Sequence, residues 1–308
     1  MNNLKKLGLT ALGTALVSSS AFAGALDVTG TAGITYVGNS TQDNGDSKLS
    51  QKTTISFTGS ADLDNGFTVS YYNNVSGEAM TTGNSHFDVD MGDMGTLRFA
   101  GTGASGNGAV GQWDDVMPAA NEESWHQGTD GIDQQVRDDS FIYTNNMIDG
   151  VTVILNYKPG ETTHDSTTGG GIKFTGVEGL DVGVAMEDNN TTDGAVVENT
   201  VAYIKYAMDA FTVGFQANET DSQTASADTE FEAWGVSYAV SEDISISYGS
   251  STVEFEDTSL SDQEADAIGV SWTNGSMSVT ASRHDIANVA GTSTDDRDVT
   301  EVNLTFAF

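Results

Sequence analysis

The segment GTGASGNGAVGQWDDVMPAANEESWHQGTDGIDQQVRDD, residues 101–139, breaks the rhythm of the chain. On either side of it, short runs of alternating apolar and polar residues are separated by turns. Here the alternation stops. The segment opens with Gly101, Gly103, Gly106, Gly108 and Gly111. It turns acidic and aromatic through Trp113, Asp114, Asp115, Glu122, Glu123, Trp125, Asp130 and Asp133, and ends at Arg137. A loop of this length inside a domain is ordinarily functional, or else marks a misassigned element. We read residues 102–138 as a loop folded into the lumen of a membrane β-barrel, where it narrows a pore.

The flanking runs support the barrel. Leu26, Val28, Ala32, Ile34 and Tyr36 share one strand face, as do Ile55, Phe57 and Ala61, and then Phe67, Val69 and Tyr71 beyond the turn Asp64-Asn65-Gly66. Asn-Gly tolerates the positive φ that tight hairpins need. A second polar loop is expected over 73–85. Phe87, Val89 and Met91 lead to the turn Gly92-Asp93-Met94-Gly95, and Leu97 and Phe99 lead away. After the long segment the scheme repeats from Phe141 to Phe308, although the outward face of Val201–Tyr206 is ambiguous. The reading gives sixteen strands, with connections that alternate without exception between short turns of about four residues and polar loops of about ten or more. An even strand number with short turns at one end and long loops at the other is the pattern of an outer-membrane barrel. A soluble sandwich also alternates apolar and polar residues, but it requires no alternation of loop length, and sixteen strands exceed the usual open sheet. Tyr36, Tyr71, Tyr72, Tyr143, Tyr157, Tyr206, Tyr238 and Tyr248 fall at run ends, where interfacial girdles lie. Ordinary strand aromatics would fall there too.

Residues 1–23 read as a secretory signal peptide: basic Lys5-Lys6, an apolar stretch from Leu7 to Val17, and the cleavage triplet Ala21-Phe22-Ala23. The expected mature domain is 24–308. No later stretch has the length of apolar residues that a membrane helix needs, which leaves a closed barrel as the only way to span. The chain has no Cys and only two Pro, Pro118 and Pro159, both in segments read as loops. That suits a sheet-dominated fold without disulfides. The formal charge is −34, and removal of Lys5 and Lys6 takes it to −36, leaving nine basic residues against 45 acidic. Nucleic-acid binding is excluded by that balance. Cations would be enriched at such a surface, although solubility or a salty medium accounts equally for the bulk of the charge.

Other motifs carry less. Gly101-x-Gly103-x-x-Gly106 matches a dinucleotide fingerprint, but that site needs a helix at the third glycine, and 107–111 is not expected to start one. His86, His126, His164 and His284 lie in or near predicted loops without metal-ligand spacing. No hydrolase or P-loop motif occurs, and no enzymatic constellation or cofactor site is expected. Asp43-Asn44-Gly45-Asp46 and Asp295-Asp296 offer at most weak Ca²⁺ binding.

Three stretches resemble Gram-negative general porins, the trimeric sixteen-stranded kind. Val302, Leu304, Phe306 and Phe308 alternate up to a terminal aromatic, which in such proteins is the signal read by the barrel-assembly machinery. The run 92–101, GDMGTLRFAG, is similar to the family's strand entering the inward third loop, and 137–143, RDDSFIY, to the strand leaving it, where an Arg joins the basic side of the constriction. The Pro-Glu-Phe triplet common in enterobacterial third loops is missing. The resemblance implies an outer-membrane homotrimer set among lipid and lipopolysaccharide. The resemblance also implies passage of small polar solutes and ions. Strand parity turns Arg98 and Lys52 into the lumen, and Lys173 by the same rule. Lys52, Arg98 and Arg137 form an expected basic side opposite Asp114, Asp115, Glu122, Glu123, Asp130 and Asp133 on the loop, whereas Lys173 lies on a strand far along the chain from it. Rings of acids favour cations, so a passive diffusion channel of modest cation preference is the leading reading. The alternative is an exported, non-channel acidic β-protein, a cation-binding adhesin or coat protein.

Overall fold

The computed structural model describes residues 26–39, 48–101, 108–132, 134, 136, 138–160, 165–189 and 197–308. Sixteen strands follow one another: β1 (Asp27–Asn39), β2 (Lys48–Asp62), β3 (Thr68–Ser76), β4 (Thr81–Asp90), β5 (Thr96–Ala100), β6 (Ser140–Asn145), β7 (Val151–Lys158), β8 (Thr167–Phe174), β9 (Leu180–Asp188), β10 (Val197–Met208), β11 (Phe211–Ser222), β12 (Thr229–Ala239), β13 (Ile244–Phe255), β14 (Gln263–Asn274), β15 (Met277–Ala287) and β16 (Arg297–Ala307). Each pairs antiparallel with its sequence neighbours, and β16 returns to β1, so the sheet is a closed barrel without an edge. Closure satisfies every ladder donor and acceptor within the protein, the condition for crossing lipid.

The faces are inverted relative to a soluble protein. Ile34, Phe87, Leu155, Ile172, Val213, Trp234 and Ile268 are exposed on the outside. Polar residues such as Asn156, Gln216, Ser251, Asn199 and Ser282 are buried on the inside. Exterior aromatics pair across strands, Phe211 with Tyr238 at 4.5 Å and Trp234 with Tyr248 at 5.4 Å between ring centres.

Two expectations about connections are corrected. The polar loop expected over 73–85 is a turn over 77–80, because β3 and β4 continue as a hairpin through a bulge near Asn73. The strict alternation of short and long connections therefore has an exception. The other long connections, except 101–139, are also shorter than ten residues, since most strands run well past the apolar band. Polar side chains are compatible with a strand that has left the lipid, so polarity alone overstates loop length. The ambiguity over Val201–Tyr206 resolves cleanly: Ile204 and Tyr206 point out, while Val201 and Tyr203 are buried inside. The signal-peptide residues, Asp43–Asp46, Asp133, Arg137 and His164 lie outside the described residues.

Candidate functional site

Residues 108–132 run along the inner wall of the barrel. A short helix, α1 (Ala109–Trp113), starts the path, where the sequence reading expected none. Its local propensity is poor, and packing decides: Ala109, Val110 and Trp113 are buried against β7–β10, and Asn156 Oδ1 accepts the Ala109 N–H at 3.2 Å, filling one of the orphan donors of the first turn. Trp113 meets Tyr203 edge to face at 6.3 Å and Trp125 meets Phe231 at 4.9 Å. The main hydrophobic core therefore lies inside the lumen, between loop and wall, and includes Met117, Val201, Phe231 and Val253.

The wall is shaped to receive the loop. A Cβ built on Gly171 would stand 2.3 Å from the Trp113 ring, and one on Gly214 would stand 2.7 Å from Pro118 Cδ. Both glycines face inward, and their missing side chains are the space the loop occupies. Hydrogen bonds then fix the register. Gln216 Nε2 donates to Asp114 O at 2.5 Å, the Ala120 N–H donates to Ser247 Oγ at 2.7 Å, and Ser124 Oγ donates to Ser251 Oγ at 2.9 Å. Gln263 donates to Thr129 O at 2.8 Å, and Thr220 and Thr229 both donate to Gly131 O. Arg297 on β16 donates to Gln127 O at 3.0 Å. The attachment thus spans the wall from β7 round to β16.

Asp114, Asp115, Glu123 and Asp130 converge on a cleft of about 440 Å³ that also touches His126 and Gln134. Asp114 is buried and accepts from Gln134 Nε2. Burial first, then the charge of Asp130, raises its pKa to about 7. Burial likewise raises Asp130 to about 6. Glu123 is pushed up by burial and by the neighbouring Asp115, which shares a hydrogen bond with it. Glu122 is raised mainly by burial, and His126 is raised mainly by its contact with Glu301 on β16. Glu122 Oε2 lies 3.4 Å from His126 Nδ1, and Glu301 Oε2 lies 3.6 Å from Nε2. Five of the six predicted loop acids are described, and all five lie on this inner segment.

The predicted bases are more scattered. Arg98 points inward from β5 but is clamped bidentately by Asp88 of β4, at 2.7 and 2.9 Å. His86, 3.7 Å from the same carboxylate, stacks on Tyr72 at 4.9 Å. Lys52 on β2, separated from β16 only by β1, is exposed and acts electrostatically on Glu122 and Glu301. Lys173 sits half-buried on β8, opposite Thr152 and Gly183. Lys158 pairs with Asp138 at 3.1 Å, Lys205 faces Asp181 at 3.7 Å, and Arg297 pairs with Asp295 at 2.7 Å. The Asp295-Asp296 pair, considered above for Ca²⁺, also spends oxygens on the loop itself, since Asp296 accepts the Asn288 N–H at 3.0 Å. Sequence reasoning placed His86 and His284 in or near loops, but they lie within β4 and β15, and His284 is fully buried. It also missed Tyr203, Phe231, Val253 and Gln216. The signal for the apolar three was present: an apolar residue on the polar parity of a barrel strand needs a partner inside.

A family model described as Gram-negative porin matches residues 8–273. The chain belongs to the Gram-negative porin family. It is accordingly a passive outer-membrane channel, and porins are neither enzymes nor dependent on a cofactor. No curated protein sequence matches. Solved structures share the fold at low identity. Salmonella typhi OmpF, in complex with daunomycin, superposes with a TM-score of 0.75 at 14% identity, over 92% of this chain and 97% of its own. An anion-selective porin from Comamonas acidovorans gives 0.70 at 13%, over 92% and 99%. OmpT of Vibrio cholerae, in a trimer form, gives 0.68 at 12%, over 93% and 100%. Closed topology and family together dispose of the alternative sandwich or solenoid coat protein.

Proposed function

We propose that this porin is a general diffusion pore for small hydrophilic solutes with a modest preference for cations, and that the segment 102–138 forms its constriction. The observation that carries the preference is the imbalance on the inner segment. Asp114, Asp115, Glu122, Glu123 and Asp130 line it, while Arg98, Lys158, Lys205 and Arg297 each have a carboxylate of their own within 4.0 Å. A base paired at short range projects little field across a water-filled lumen, and screening reaches about 10 Å at 0.1 M salt. Acid rings favour cation passage. Ion preference is a property of these side chains and not of the barrel, as the anion-selective Comamonas relative illustrates.

The same reading takes residues 1–23 as a signal peptide removed on export, leaving 24–308, and Arg137 and Asp133 as further members of the two sides of the constriction. It takes the working unit as a homotrimer, the form in which the Vibrio cholerae protein was solved. The exposed apolar band meets membrane lipid and lipopolysaccharide. The alternating tail Val302, Leu304, Phe306 and Phe308 presents an outward face to the barrel-assembly machinery.

The test is the reversal potential of the refolded protein in a planar bilayer across a salt gradient. Wild type should favour cations, less so as salt rises. Replacing Asp114, Asp115, Glu122 and Glu123 together by their amides should move the potential towards anions. An anion-selective wild type, or a potential unmoved by the quadruple change, would overturn the assignment.

A further inference from the structure

The His126 side chain lies between two carboxylates that belong to different parts of the molecule. Glu122 is on the same inner segment, and Glu301 comes from the wall strand β16. One ligand atom from each of the three lies within 4.8 Å of the others. The two carboxylates flank opposite ring nitrogens and an ion takes only one of them, so an ion on Nε2 beside Glu301 requires the Glu122 carboxylate to swing round from the Nδ1 side. Glu301 is already oriented for it. Asn303 Nδ2 donates to its Oε1 at 2.7 Å, and its Oε2 is the oxygen that faces His126. A fixed outer partner of this kind holds a ligand carboxylate in place and is typical around metal ligands. Glu301 is buried, which removes water that would otherwise compete for its charge, whereas His126 is exposed and opens the set to the lumen.

We propose that Glu122, His126 and Glu301 form a binding site for a divalent transition-metal ion such as Zn²⁺, and that the bound ion pins the inner segment to β16. One imidazole and two carboxylates suit Zn²⁺, Co²⁺ or Ni²⁺ above Mg²⁺ or Ca²⁺, which prefer oxygen alone. Three protein ligands leave the remaining positions to water, so the ion exchanges with the lumen. The closest neighbours that act against it are Lys52, which faces both carboxylates from β2, and the buried His284, whose ring centre is 5.9 Å from that of His126. His284 is engaged elsewhere, with Ser282 Oγ at 2.9 Å and Ser124 O at 3.3 Å, and supplies no ligand. An ion here adds positive charge to the acidic side of the lumen and ties down a segment that otherwise reaches β16 through the Gln127–Arg297 contact and the Asn121–Asn303 contact at 3.4 Å. This site shares Glu122 with the constriction proposed above, but it would bind metal whether or not the ion preference holds.

The experiment is calorimetric titration of Zn²⁺ into the refolded full chain, at neutral pH, with excess Mg²⁺ present to saturate non-specific carboxylates. One Zn²⁺ per chain is expected, with Co²⁺ giving visible d–d absorption at the same stoichiometry. His126→Gln and Glu122→Gln should each weaken binding at least tenfold and abolish the Co²⁺ band. Lys52→Gln should tighten it, a gain that a damaged fold would not produce. Asp266→Asn on the outer face should leave it unchanged. Zn²⁺ should also lower single-channel conductance in wild type and not in His126→Gln. No saturable binding above Mg²⁺, or equal binding in wild type and His126→Gln, would overturn the site whatever the channel's selectivity.

Discussion

The lumen has two unlike sides. From β7 round to β16 the inner wall is built like a protein interior: glycine hollows, buried apolar residues and hydroxyl or amide donors that meet the loop backbone. From β2 to β5 it is built like a surface, with Lys52, the Asp88–Arg98 pair and the stacked Tyr72–His86 rings. The difference teaches where this molecule keeps its packing energy. A barrel wall one residue thick has no core of its own. It acquires one only where a second layer lies on it, and residues 108–132 are that layer. The surface-like side is left to water and solutes.

The sharpest way to break this contrast is to remove the wedge. Trp113→Ala should cost about 3–5 kcal/mol of loop docking and release the segment from β8–β10. The expected result is a several-fold rise in single-channel conductance and new protease sensitivity within 108–136, with the barrel itself still folded. Conductance and cleavage both at wild-type levels would mean that the segment is held by its hydrogen bonds alone. Gly171→Val attacks the same contact from the wall. It should cost about 1–3 kcal/mol through overpacking against the Trp113 ring and give a smaller rise in conductance. Combining it with Trp113→Ala should show less than additive loss, because the ring clash is then gone and only the Val184 carbonyl, 2.7 Å from the new Cβ, remains.

The acidity of the docked side gives a pH prediction. Asp114 and Asp130 have pKa values raised to about 7 and about 6 by burial. A carboxyl whose folded pKa lies above its unfolded one favours the folded arrangement when protonated. Docking should therefore strengthen as pH falls through 7, and weaken as pH rises. Cation preference should move the other way, declining between about pH 8 and 5 as these two charges are lost, with Asp114→Asn removing most of the change above pH 6. A reversal potential flat across that range would show that neither charge is felt by permeating ions. The smallest effect is expected on the water-facing side. Arg98→Gln together with Asp88→Asn should barely shift selectivity, because the pair they replace is already neutral. A shift as large as that of the acidic cluster would reverse the contrast between the two sides.

How legible was this in the sequence? The outward face was almost fully readable, since lipid imposes a period of two on every strand and nothing else competes for those positions. Strand number and closure follow from that pattern. The inner face was readable only by default, as whatever was polar. Val201 and Tyr203 broke the pattern and were left ambiguous because their partner, Trp113, is about ninety residues away in the chain. Helix α1 was missed for the same reason: its stability comes from the wall and not from local propensity. Parity alone says nothing of the neutralisation of Arg98 by Asp88, which depends on the β4–β5 register. The convergence of His126 with Glu301 depends on two elements that only the closed barrel brings together.

That closure sets an order of events. β16 lies beside β1 in register from Thr31 opposite Ala307 to Asn39 opposite Val299, and Gly30 and Phe308 exchange both backbone hydrogen bonds at 2.9 Å. The sixteenth strand in chain order is thus the one that seals the first. Until it arrives, any assembled sheet carries two open edges, each a template for another chain. Contacts this remote in sequence are also the slowest to form. A barrel with no weak edge when finished is, during its making, nothing but edges, and a chain cut short before Val299 would never outgrow that state.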